Sequence, residues 1–279
     1  MTSQVMAGRP PGWPADGGAL TGLHPQVTLL QQTDAPSGPA WQRALDRGLR
    51  DLGLPATEGQ RERLCRHLEM MRQWGRVYNL SAIRDPGDMV SLHLMDCLAA
   101  LPALDAWRFR RGGAPDGLDA PGAASPAPLK ILDVGSGAGL PGLVLAIMRP
   151  QWEVTCVDTV GKKAGFIRQV AAELMLPNVQ ALHARVETMP APAGGFDLVM
   201  ARAFSSLGDL VSLTRHLVAP QGVWAALKGK VPSEEIRALG GGARMFHVEP
   251  LTVPGLDAAR CLVWIEQGDA ACIERSSGA

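Results

Sequence analysis

Asp133-Val134-Gly135-Ser136-Gly137-Ala138-Gly139 is the stretch on which the fold turns. It closes an apolar run, Ile131-Leu132-Asp133-Val134, that reads as a strand. It opens a second apolar run, Leu140 to Met148, that reads as a helix. Alternate glycines tolerate positive φ and let a ligand come close to the backbone over the helix N-terminus. Nineteen residues past Gly139, Asp158 ends the next strand-like run, Val154 to Asp158. A carboxylate at that place accepts hydrogen bonds from ribose hydroxyls. Loop and acid in this register point to a cofactor that carries a nucleoside.

Outward from the loop, the pattern repeats. A helix over Lys162 to Leu176, a strand over Val179 to Ala184 and a strand over Phe196 to Ala201 follow. A helix over Leu207 to Leu217 and a strand over Gly222 to Leu227 come next. Alternating strands and helices predict an α/β fold, a parallel sheet with helices on both faces. Met245 to Leu251 and Arg260 to Ile265 have only a loop between them and should pair antiparallel at the end of the sheet.

Upstream, residues 41–111 read as helical. Trp41 to Leu54 is one helix. Thr57-Glu58-Gly59-Gln60 is a capping box, in which hydroxyl and amide each meet an orphan backbone N–H. Leu64, Leu68, Met71 and Trp74 recur at helical spacing. Asp85-Pro86 opens a third helix that runs to about Ala100, with Met89, Val90, Leu94 and Leu98 in the core. Residues 1–40, rich in Pro, Gly, Ala and Gln, read as a disordered arm, and 112–128 as a Pro/Gly/Ala loop. Residues 129–279 form the second module.

Composition narrows the function classes. The 279 residues carry 27 basic and 27 acidic side chains, and 46% are hydrophobic, enough for a full core and too many for a disordered chain. The apolar runs fall far short of the roughly 20 residues of a membrane span, and Met1 to Gly18 carries no signal-peptide pattern. The five Cys are irregularly spaced, so neither a disulfide frame nor a metal site is expected. The expected setting is cytoplasmic. Residues 41–111 hold 12 Arg against 9 acidic residues, a weak pointer to an anionic partner that a solvated helical face explains as well.

Gly137-Ala138-Gly139-Leu140-Pro141-Gly142 also fits a dinucleotide loop. Three features favour S-adenosylmethionine. Asp133 places a carboxylate ahead of the glycines, where it can organise the amino-acid end. Val186-Glu187 follows the third strand, near the expected adenine edge. An antiparallel strand pair is an unusual ending for a dinucleotide domain.

Taken together, Trp74-x-x-x-Tyr78-Asn79-Leu80-Ser81-Ala82-Ile83-Arg84-Asp85-Pro86, His93-Leu94-x-Asp96, the loop 133–142, Arg202-Ala203-Phe204 and Leu227-Lys228-Gly229 resemble the RsmG (GidB) family. That family comprises bacterial 16S rRNA (guanine-N7) methyltransferases. The resemblance covers about residues 41–267. It implies a class I S-adenosylmethionine-dependent methyltransferase (Rossmann-like) fold with a helical N-terminal part. It also implies methylation at N7 of guanine 527 in 16S rRNA of the small ribosomal subunit. Carried over, Gly135 and Leu140 match the cofactor loop, Asp158 the acid after the second strand, Val186 and Glu187 the adenine side, and Arg202 the arginine lining the pocket. The arm at 1–40 and the insertion near 108–128 depart from the family pattern.

The chemistry of the target agrees with what the chain lacks. Guanine N7 bears a lone pair and no proton, so no base is needed. The chain has no Asn/Asp-Pro-Pro-Tyr/Phe segment for exocyclic amines and no Pro-Cys nucleophile, and Cys156 reads as core. Arg202 is expected to position the reactants, with no residue acting as acid or base. Arg84, Lys228 and Lys230 are candidate phosphate contacts or solvated surface. Lys162 and Lys163 lie near substrate phosphate or do nothing. His93 caps the cofactor pocket, meets RNA or pairs with Asp96, and Trp74 is core or stacks on a base. A monomer is expected. Two rivals are a methyltransferase acting on a small molecule and a nucleotide-binding regulator without catalysis.

Overall fold

β1 (Lys130–Val134) runs between β2 (Glu153–Asp158) and β4 (Phe196–Arg202) and is parallel to both. This is a computed structural model, and it describes residues 38–78, 86–111, 127–240 and 242–268. Residues 1–37 of the expected arm, the Asp85 cap and nearly all of the 112–128 loop lie outside the described residues, while 38–40, read as part of the arm, belong to the first turn of a helix. β3 (Val179–His183) flanks β2, and β5 (Val218–Lys228) flanks β4, again in parallel. β7 (Arg260–Gln267) pairs antiparallel with β5 and with β6 (Ala243–Leu251). The order β3-β2-β1-β4-β5-β7-β6 carries the antiparallel pair at one end. It also reverses direction between β1 and β4, and in open α/β sheets ligands bind at that reversal, beyond the strands' C-terminal ends.

Alternation along the strands sorts side chains onto two faces. Ile131, Cys156, Met200 and Ala225 join one apolar cluster. Leu132, Val157, Val199 and Trp224 join the other. Helices α6 (Gly142–Met148) and α7 (Gly161–Glu173) cover the first face, and α8 (Leu207–Thr214) the second. The short α9 (Ser233–Arg237) follows β5.

The helical N-terminal segment packs into the first cluster. α1 (Gly38–Asp51) contributes Trp41, Leu45 and Leu49, and α2 (Glu58–Tyr78) contributes Leu64, Leu68 and Met71. Trp74 is half-buried, its ring 5.3 Å from that of Phe166 on α7. The third helix differs from expectation. It is α3 (Pro86–Met89), a π-helical turn (Val90–Met95) and α4 (Asp96–Leu98), with Met89, Val90, Leu94 and Leu98 buried. A further helix, α5 (Leu101–Arg110), follows within the module read as helical, beyond the expected end of the third helix near Ala100. Pro102 sits in its first turn, where a missing N–H costs nothing, so proline here starts a helix.

The capping box forms as read. Thr57 N–H donates to Gln60 Oε1 at 2.8 Å, and Gln60 N–H donates to Thr57 Oγ1 at 3.2 Å. Gln60 does a second job, its Nε2 donating at 3.1 Å to both Ile147 O and Met148 O at the end of α6. Those carbonyls are orphans of the helix terminus. Thr57→Ala should therefore cost about 1 kcal/mol of unfolding free energy, the usual worth of a cap. Gln60→Ala should cost more, about 1–3 kcal/mol, because it also strips a partner from two carbonyls. Urea denaturation of both variants measures the order.

Candidate functional site

The glycine turn is held from below by β2. Gly135 N–H and Ser136 N–H donate to Val157 O at 2.9 and 3.2 Å. Gly137 N–H donates to Asp158 Oδ2 at 3.0 Å, and Val160 N–H to Asp158 Oδ1 at 2.8 Å. Gly139 N–H and Leu140 N–H both return to Ser136 O. Asp133 Oδ2 reaches past the turn to accept Gly142 N–H at 2.9 Å.

Two glycines show opposite reasons for lacking a side chain. Gly137 has φ +58°, and a Cβ there would meet nothing closer than Gly135 O at 3.9 Å, so its face opens on empty space. At Gly142 a Cβ would stand 2.5 Å from Cys156 Sγ and 2.8 Å from Asp133 Oδ2. Gly142 is therefore bare to fit the protein, and Gly137 leaves room for something else. An open glycine ledge beside a carboxylate, at the reversal of strand order, fits a nucleoside cofactor such as S-adenosylmethionine. Leu140 is buried behind the turn. Val186 and Glu187 form a 3-10 turn (Val186–Thr188) just after β3, with Val186 buried and Glu187 exposed.

Arg202 ends β4, directly across the reversal from the turn, since Val134 pairs with Ala201. Its Nη1 donates to Asp96 Oδ2 and to Leu92 O, both at 3.1 Å. Asp96 Oδ1 accepts from Arg260 Nε of β7 at 2.7 Å. One carboxylate thus joins the tips of two strands to the helical segment. Sequence reasoning weighed Asp96 only against His93 and missed Arg260. After Arg202, Ala203 takes φ +55°, a left-handed conformation that costs about 1–2 kcal/mol for a residue with a Cβ. Phe204 then comes within 3.5 Å of where a Gly135 Cβ would be.

His93 lies in the π-turn, buried. Burial first, and the Arg202 charge second, hold its imidazole down at about 4. His67 of α2 was not singled out, although its place among Leu64, Leu68 and Met71 on an apolar face was the signal. It is fully buried, with Nε2 2.9 Å from Ala138 O in the glycine turn. Burial holds it at about 4 as well. Burial pushes the Asp133 carboxyl up to about 6 and the Cys97 thiol up to about 12, and raises the Cys156 thiol too.

Lys228 closes β5 at the same edge of the sheet as Arg202, which is level with Leu227, and its Nζ is 2.9 and 3.1 Å from the Glu235 carboxylate of α9. Lys230 is exposed just beyond it, and Lys162 and Lys163 lie in the first turn of α7. Arg84 lies outside the described residues. Among the described residues no group of three His, Cys, Asp or Glu is placed to hold a metal, and no helix is long and apolar enough to cross a membrane.

These titrations set the acid stability. A histidine held at about 4 in the fold and about 6.5 when unfolded costs nothing above pH 6.5. Below that the unfolded chain takes up the proton and the fold does not, so stability falls as pH drops from 6.5 to about 4. Two histidines do this. Asp133 works the other way, because its folded value is raised, and it takes a proton as pH falls through about 6. From these three groups, stability should fall with two net protons between pH 6.5 and 6, and with one from 6 to 4, at about 1.4 kcal/mol per pH unit per proton. Urea midpoints at pH 7, 6 and 5 test this, and His67→Gln should flatten the fall.

Proteins similar in sequence bear the name of an rRNA methyltransferase. The Acidovorax sp. (strain JS42) protein "Ribosomal RNA small subunit methyltransferase G" is 48% identical over 82% of this chain and 96% of its own. The protein of that name from Leptothrix cholodnii is 50% identical over 78% and 92%, and that from Bordetella pertussis 48% over 84% and 96%. Residues 120–263, which include the turn, the reversal and Arg202, match the family described as "GidB: rRNA small subunit methyltransferase G". With near-complete coverage of relatives at this identity, the chain belongs to the GidB family of rRNA small subunit methyltransferases.

Proposed function

We propose that this chain transfers a methyl group from S-adenosylmethionine to N7 of a guanine, position 527, in the 16S rRNA of the small ribosomal subunit. It acts as a monomer in the cytoplasm. The observation that carries the reading is the open face of Gly137 beside Asp158, in a chain of this family.

When bound, S-adenosylmethionine supplies a methyl group made electrophilic by its sulfonium. The protein's part is to bind and orient. Gly135, Gly137 and Leu140 would form the ledge, and Asp158, with the lone pairs left over from Gly137 and Val160, would accept hydrogen bonds from the ribose. Val186 and Glu187 would line the adenine side. Arg202, fixed by Asp96 and Leu92 O, sets the relative position of methyl and guanine. Orientation alone supplies a large share of a barrier reduction when two reactants are held in line. No residue needs to take a proton, because N7 has none. For the RNA, Arg84, His93 and Lys228 are the candidate contacts. Lys228 has Glu235 as a counter-charge, so it gains less from a phosphate than a free cation does.

Calorimetry with S-adenosylmethionine tests the ledge. Asp158→Ala should weaken binding by about 1–3 kcal/mol, and Gly137→Val by more, because the new side chain occupies the open face and strains a positive φ. Wild-type affinity in both would remove the cofactor from this turn.

Tritium transfer from labelled S-adenosylmethionine to rRNA from a strain lacking the modification tests the activity. The single-turnover rate should be nearly flat between pH 6.5 and 8.5, and Arg202→Ala should cost about 2–4 kcal/mol of barrier at every pH. A limb near pH 6–7 that disappears in His93→Gln would show that a proton is moved, and the target would then be an atom that carries one.

A further inference from the structure

We infer that His67 is a positioning residue for the cofactor, an imidazole on the helical segment that fixes the peptide between Ala138 and Gly139 in the glycine turn. The inference rests on the reading that S-adenosylmethionine binds over that turn.

The geometry brackets the open ledge. On one side of Gly137, its N–H is held by Asp158 from β2. On the other, the Ala138 carbonyl is held by His67 from α2, at 2.9 Å and 71 residues away in sequence. The same peptide is fixed at its other end, where Gly139 N–H donates to Ser136 O at 2.8 Å. With both ends of one peptide plane tied, the backbone around the open Gly137 has little freedom to rotate. Preorganised backbone raises affinity by removing the ordering cost from the binding step.

The choice of histidine follows from hydrogen-bond bookkeeping. A carbonyl only accepts, so the imidazole proton is on Nε2. Nδ1 is then a bare acceptor, buried and without a partner. Leaving such an atom unsatisfied costs about 1–3 kcal/mol. Phenylalanine at 67, beside Phe166, would remove that cost and leave the Ala138 carbonyl unsatisfied in its place. The two penalties are of the same kind, so the imidazole brings little to overall stability. What it brings is the direction of one carbonyl.

The test compares His67→Phe, which keeps a ring and removes the donor, with His67→Gln, whose Nε2 can stand where the imidazole Nε2 stands. Calorimetry uses S-adenosylmethionine and S-adenosylhomocysteine as probes, and amide hydrogen exchange at Gly139 and Leu140 is read in the ligand-free protein. In His67→Phe, affinity should fall about tenfold, roughly one hydrogen bond, with a melting temperature near wild type. Exchange at the two amides should speed up. KM for the cofactor should rise while the rate at saturation changes little. His67→Gln should restore affinity and slow exchange. Wild-type affinity and exchange in His67→Phe would overturn the inference, as would a His67→Gln variant as weak as His67→Phe. Should His67→Phe not fold, the His67→Gln comparison still stands, and imidazole nitrogen shifts in wild type showing a proton on Nδ1 would also overturn it. A wild-type protein that binds neither probe would instead defeat the cofactor reading, while the exchange data would still report whether His67 holds the turn.

Discussion

The carboxylate of Asp133 is the constraint on which the rest of the site depends. It stands at the tip of β1, fully buried, and burial makes its charge expensive enough to lift its pKa to about 6. The main return for that cost is the Gly142 N–H bond, which ties the end of β1 to the start of α6. Gly142 must lack a side chain to come so close. Between these two anchored points the chain has eight residues in which to turn, and it does so with Gly135, Gly137 and Gly139 at positive φ. The turn's shape is therefore set in part by a bond within the protein. After the Gly142 bond, the Ser136 hydroxyl and then the Arg202 charge favour the ionised form of the carboxylate.

Asp96 plays the matching part on the far side of the strand reversal. It takes Arg202 from β4 and Arg260 from β7, two guanidinium groups on one carboxylate that is almost wholly buried. Removing a single member of such a group would leave a buried charge uncompensated, which is costly. The cluster carries one positive charge in excess, and that excess helps to keep His93 neutral. The carboxylates of Asp133 and Asp158 lie on the glycine-turn side. Opposite charges are thus separated across the reversal.

The sheet was legible because its strands are short apolar runs broken by turn residues, and because Gly-x-Gly-x-Gly after a strand has few other uses. All seven strands lie where that pattern placed them, within a few residues. β5 begins four residues early, at Val218, beside a register shift in β4 that the pattern does not encode. The helical segment was legible at its ends and not in its middle. The Thr57 box is local chemistry and formed as read. The π-turn over Val90–Met95 is not local: Leu92 O and Asp96 are both tied to Arg202, 106 to 110 residues away. α5 was not separated from the third helix, which was read as running to about Ala100, and α9 was missed because five residues give too little periodicity. In the site, the glycines and Asp158 were readable from spacing. Arg260 and His67 were not, since their partners are fixed only by tertiary packing. A histidine on an apolar helical face was the one visible hint.

Proton chemistry gives the last connection between fold and function. Among the described residues beside the strand reversal, burial keeps several groups that a base-catalysed reaction could recruit out of use. His93 is neutral, but a conjugate acid near 4 makes it a weak base. Cys97 and Cys156 stay protonated because a thiolate there would be stranded in apolar surroundings. Asp96 is committed to two arginines, and Asp133 to Gly142. A site that had to deprotonate an amine or a hydroxyl would need one of these groups exposed and poised near neutral pH. A site whose nucleophile is an unprotonated ring nitrogen needs none, and can spend its polar groups on holding backbone and cofactor in place. The burial that fixes the protonation of these side chains also packs the helical segment against the sheet, so one core serves both the fold and the proposed base-free chemistry.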